Sequence, residues 1–112
     1  MKKDLIIDVK TGKRQEIELP PDPILPAQVK AEAMRRILDI APEWKQRNLT
    51  AQAAILAKKG EANWTAEEQS AWDAGEEIWY KILQIRAASD QIEALDPIPQ
   101  DFAESDIWPV WP

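Results

Sequence analysis

Trp64-Thr-Ala-Glu-Glu-Gln-Ser-Ala-Trp-Asp-Ala-Gly-Glu-Glu-Ile-Trp-Tyr-Lys-Ile-Leu-Gln-Ile-Arg-Ala-Ala-Ser-Asp-Gln-Ile-Glu-Ala-Leu95 is the stretch whose reading decides the fold. Thr65-Ala-Glu-Glu68 has the form of a capping box, with a hydroxyl at the N-cap and a carboxylate three residues on. Glu67 and Glu68 also suit the positive end of a helix dipole. Beyond this start, Ala71, Ala74, Ile78, Ile82, Ile85, Ala88, Ile92 and Leu95 recur at steps of three and four, a core-facing stripe. A second, adjacent line runs Trp72, Gly75, Trp79, Leu83 and Arg86. No proline interrupts the run, and Pro97 supplies a stop. The spacing predicts one helix over about 65–95, roughly 45 Å long.

Working backwards, Gly60 ends a second helical pattern over about 42–59, with Lys58 and Lys59 where cations suit the dipole. Its apolar positions form two lines, Trp44, Ala51, Ile55 and Leu49, Ala53, Leu56. The short Glu61-to-Trp64 connector makes this helix and the long one an antiparallel hairpin. Its alanines allow close approach, so it is expected to cover the Ala71-to-Leu95 stripe. A further helix is expected over 27–40, with Pro26 near its start. There Val29, Ala33, Ile37 and Ile40 form a stripe widened by Met34 and Leu38, while Lys30, Arg35 and Arg36 face away.

The flanks are different in kind. Asp4 to Leu19 alternates apolar and polar residues around Thr11-Gly12, the pattern of a β-hairpin. A lone hairpin is marginal in water, so it either docks on the helices or adds to a sheet of another chain. Residues 20–26 hold four prolines in seven positions, a semi-rigid spacer. Residues 97–112 hold four more among Ile98, Phe102, Ile107, Trp108, Val110 and Trp111. This tail reads as extended and too apolar to lie free in water. A tryptophan buries about 150–250 Å², up to about 4–6 kcal/mol, so Trp108 and Trp111 pack on their own helices or anchor a partner. The expected fold is mainly α: an N-terminal β-hairpin (1–19), a Pro-rich linker (20–26), a helical domain (27–96) and an extended tail (97–112).

Composition excludes most chemistry. The 112 residues include no cysteine and no histidine, which removes disulfides, thiolate nucleophiles, ordinary triads and the usual zinc sites. No glycine-rich phosphate loop is present, and Glu67/Glu68 and Glu76/Glu77 are adjacent pairs that do not face one another on a helix. Asp101, Glu104 and Asp106 lack the spacing of a calcium loop. The chain reads as a non-enzyme with no catalytic, cofactor-binding or metal-ligating residues. Charge is split: residues 1–60 carry 12 basic and 8 acidic groups, residues 61–112 carry 2 and 12. An acidic C-terminal half argues against nucleic acid and anionic membrane as partners. The start lacks the apolar segment of a signal peptide, and the chain is expected in the cytoplasm.

Several of these features occur together in one family. Asn63-Trp64 before the Thr-Ala-Glu-Glu start, Ala71-Trp72, Trp79-Tyr80, Leu83-Gln-Ile-Arg86 and the closing Ile107-Trp-Pro-Val-Trp-Pro112 resemble elements of phage tail-fibre assembly proteins and tail assembly chaperones. Asp8-Val-Lys-Thr-Gly12 is similar to their short N-terminal strand and turn. The likeness covers roughly half the chain, mainly residues 53–112. Ala88 to Leu95 prolongs the helix where that family has a shorter stretch. The resemblance implies a protein that binds a tail-fibre or other tail protein, in the host cytoplasm during assembly or in the virion tail. Trp72, Trp79, Leu83, Phe102, Trp108 and Trp111 are the candidate partner-binding residues. Other roles compatible with the residues are a permanent structural or adaptor part of the tail, a small acidic inhibitor or regulator of a host protein, and pairing of the long helix in a homo-oligomer.

Overall fold

The computed structural model describes residues 21–111 in full, and before them only the backbone of two paired antiparallel strands, β1 (Lys3–Ile7) and β2 (Arg14–Glu18). The expected hairpin as a unit, its Thr11-Gly12 turn and its docking lie outside the described residues. Elsewhere the chain is mainly helical: α1 (Pro26–Ile40), α2 (Glu43–Lys59) and α3 (Ala66–Glu93). Two short 3-10 turns, Glu61–Asn63 and Phe102–Glu104, punctuate the connections.

Each helix end has a local cause. Thr65 Oγ1 accepts from the Glu68 N–H at 3.1 Å, and the Glu68 carboxylate accepts from the Thr65 N–H at 2.9 Å, so the capping box forms in full. Pro26 opens α1 at a position where its missing N–H costs nothing, and the Gln28 side chain accepts from the Leu25 N–H at 2.8 Å. Pro42 caps α2, and Gly60, at φ +88°, ends it in a conformation that a side chain disfavours.

The core is built by α1, the C-terminal half of α3 and the tail. Val29, Ala33, Ile37 and Ala41 pack with Ile82, Ile85, Ala88 and Ile92, and Ile98 and Trp108 close the cluster. Lys30 in the first turn of α1 pairs with Glu93 at the end of α3, so these helices run antiparallel. This corrects the expectation that α2 covers the long stripe. α1 supplies branched side chains that fill the space over Ile82 to Ile92, whereas Leu56 alone is buried on α2. Leu95 stays exposed at the far end of the stripe. At 1.5 Å per residue α3 is about 42 Å long and α1 about 22 Å, so α1 reaches only half of its partner.

The tail departs from a plainly extended strip. It turns through Phe102–Glu104, and its prolines flank that turn rather than forbid it. Ile98 and Trp108 are buried, and Phe102 and Trp111 are half-buried against the same cluster. Gln100 donates to the Asp22 carbonyl at 2.9 Å, tying the tail to the spacer before α1. Among residues 97–111 the tail therefore packs on its own helices.

Candidate partner-binding groove

The N-terminal half of α3 lies along α2, with Ile78 and Trp79 at its end also packing on the α1 core, and between α2 and α3 lies an open apolar groove. Its volume is about 350 Å³. Leu49, Ala53 and Leu56 form one wall, and Trp72, Gly75, Trp79 and Leu83 form the other, with Tyr80 and Glu76 on the outer rim. The line singled out from spacing is thus one wall of the groove. Leu83 is 56% exposed and Tyr80 62%, while Trp72 and Trp79 are half-buried.

The groove is closed at its α2–α3 turn and braced there. Trp64 Nε1 donates to the Leu56 carbonyl at 2.8 Å, and the Trp64 and Trp72 rings lie 4.9 Å apart, tilted by 38°. Lys59 and Glu68 pair at 2.6 Å across the same turn. The Lys59 hydrogen bond, joined by the Thr65 backbone, holds the Glu68 carboxyl below its ordinary value. Trp72 Nε1 is satisfied by Glu76 one turn on, which leaves its ring as an apolar surface. A Cβ on Gly75 would sit 3.6 Å from Leu49 Cδ2, ordinary contact, so the glycine is not forced by crowding.

The candidate residues do not form one surface. Trp72, Trp79 and Leu83 share the groove. Trp108 is 3% exposed and lies in the core, its Nε1 donating to the Phe102 carbonyl at 2.8 Å. Trp111 lies beside α3, donating to Gln84 at 3.2 Å with Lys81 Nζ 5.4 Å from its ring. They divide instead: Trp72 and Leu83 face the groove, Trp79 lines it while packing on the core, and Trp108 and Trp111 hold the tail to the chain.

Two features escaped the sequence. Arg36, expected to face away, bridges α1 to the tail. It bonds Glu32 at 2.7 Å and the Ala103 carbonyl at 2.8 Å, and its guanidinium lies 4.7 Å over Trp108. Its place beside Ile37 and one turn after Glu32 was the available signal. The Trp44, Ala51, Ile55 line of α2, read as packing, faces outward, with Trp44 60% and Ile55 67% exposed. Among the described residues only one of the two apolar lines of α2 has a partner, because α3 can touch one face of it.

Among the described residues no three acidic side chains gather as a metal site, and no helix is long and apolar enough to cross a membrane. No family model, curated protein or solved structure matches the chain.

Proposed function

We propose that the chain is a non-enzymatic phage tail protein that binds a tail-fibre protein, or another tail protein, as an assembly chaperone. The observation that carries this reading is the open apolar α2–α3 groove, where Tyr80 and Leu83 are largely exposed beside a half-buried Trp72. The chain's own tail, which had the rings to cover it, packs elsewhere. An open apolar groove on a small chain without histidine or cysteine suits holding another protein's apolar segment more than chemistry on it. The likeness of residues 53–112 to tail-fibre assembly proteins supplies the setting.

The binding set narrows to Trp72, Tyr80 and Leu83, since Trp79, Phe102, Trp108 and Trp111 pack within the chain. Co-expression with a phage tail-fibre protein is expected to give a co-purifying complex. Leu83→Asp and Tyr80→Asp should abolish capture while circular dichroism shows unchanged helicity. Capture that survives both substitutions sinks the reading. A permanent structural part of the tail would use the same surface. Mass spectrometry of purified particles separates them, with absence expected for the chaperone.

A further inference from the structure

We infer that a second copy of this chain occupies the α2–α3 groove, inserting the outward ridge of its own α2. Two surfaces of the described chain, a groove and a ridge, match in shape and oppose in charge. Such self-association goes beyond the function proposed above and fills the same groove, so the two are told apart by whether a strictly monomeric chain still captures the fibre.

The groove first restricts the kind of segment it accepts. Its walls are apolar side chains, and the helices behind them have their backbone groups paired internally. A strand laid there would bring unpaired N–H and C=O groups against Trp79, Leu49 and Leu83. A helix brings none. α1 already shows the solution on the other half of α3, where Val29, Ala33 and Ile37, four residues apart, lie along the stripe. The groove between α2 and the N-terminal half of α3 presents a place for another amphipathic helix.

Charge then selects which helix. Glu76 is the groove's charged lining residue, and helical spacing puts Asp73 beside it on the outer rim with Tyr80. The occupant should carry an apolar line flanked by cations. α2 has that chemistry on the face away from α3. Trp44, Ala51 and Ile55 fall on one line at steps of seven and four, flanked by Arg47 and Lys58 on one side and Lys45 on the other, while Lys59 is engaged with Glu68. Exposed rings and branched side chains on this line have nothing over them among the described residues.

Ridge and groove are different surfaces, so the contact is heterologous: one copy's ridge enters the next copy's groove. Unless the rotation closes a ring, such contacts run on into chains. Reversing one surface should stop growth without unfolding the protein, since Ile55 and Leu83 are both largely exposed.

Sedimentation velocity on the full chain, from low micromolar to hundreds of micromolar, tests this. The mean mass is expected to rise with concentration, and the apparent affinity to fall at least about tenfold on raising salt well above physiological strength. Ile55→Asp and Leu83→Asp, each helical by circular dichroism, should be monomeric alone. Mixed, they should form a one-to-one complex, because each retains the surface the other lacks. A chain monomeric throughout overturns the inference. So does a mixture that stays monomeric while the unsubstituted chain associates, which would assign self-association to another surface. Fibre capture by a strictly monomeric chain would leave the groove to the fibre alone.

Discussion

Arg36 stacks its guanidinium 4.7 Å over the ring of Trp108 and holds the tail against α1 with the same side chain. One nitrogen bonds Glu32 and another the Ala103 carbonyl, so helix, acid and tail meet at one residue. Arg36→Ala should cost about 1–2 kcal/mol, from a charge-assisted hydrogen bond and a cation–π contact. Arg36→Lys should recover little, because an ammonium cannot hold the fork and the ring contact together. Thermal unfolding reads the loss, and a red shift of tryptophan emission reports whether Trp108 has come free.

Trp108→Ala removes the largest ring of the core and should destabilise the fold by about 3–5 kcal/mol. Leu83→Asp, in the groove, should change the melting temperature little, since surface substitutions away from packed features stay within about 0.5 kcal/mol. Comparing the two by thermal denaturation separates the ring that holds the chain from the line that faces outward. Equal losses would mean that the groove is part of the core.

How much of this was legible in the sequence differs by scale. Thr65 and Glu68 announced the start of α3, Gly60 ended α2, and the Val29, Ala33, Ile37 line named the buried face of α1. These are local facts, set by caps and periodicity within a few residues. Which helix covers which was not legible. Periodicity says that a face is apolar, and it does not say whether α1 or α2 lies over it. The Trp44–Ile55 line carried the same signal as the Leu49–Leu56 line, yet α3 covers only the latter. Trp72 and Trp108 were likewise indistinguishable by composition. Their separation into groove and core follows from the tail turning at Phe102–Glu104, a turn among prolines with no helical period to betray it.

Acid should loosen the α1 connections. Hydrogen bonds from Arg35 and then Arg36 hold the Glu32 carboxyl below its ordinary value, and Lys30 followed by Ser89 does so for Glu93. For a carboxyl whose folded pKa is lowered, the stabilisation is present above the unfolded value, about 4.3, and is lost as pH falls through the folded one. Lys30 is raised, chiefly by its hydrogen bond to Glu93, so its contribution is present below about 10.4 and is lost as pH rises through the folded value. These pairs should therefore contribute evenly between these limits. In urea melts across pH, Glu93→Gln should flatten both limbs and Glu32→Gln only the acid limb.

Gly75 offers a gain of stability. A methyl there meets Leu49 Cδ2 at 3.6 Å without displacing it, and the position lies inside α3. Gly75→Ala should stabilise the chain by up to about 1 kcal/mol, the helix-propensity difference. The added methyl also raises the groove floor between Trp72 and Trp79. A higher melting temperature with weaker self-association or fibre capture would mean that the glycine serves an occupant rather than the fold.

Leu56 sets the stability of α2 as a separate unit. It is 3% exposed, the one buried residue of that helix, and its carbonyl also receives the Trp64 indole. Leu56→Ala should cost about 2–4 kcal/mol if the loss were global. α2 has no other buried anchor, so the expected result is local instead: α2 opens while α1 and the C-terminal half of α3 keep their core. Native-state hydrogen exchange reads this directly. Amides of residues 46–59 should lose protection by one to two orders of magnitude, about 1.4 kcal/mol for each tenfold, while those of 82–92 hold theirs. Equal loss in both segments would show that α2 and the core unfold together. The groove would then belong to one cooperative unit, and an occupant would stabilise the whole chain rather than the hairpin that lines it.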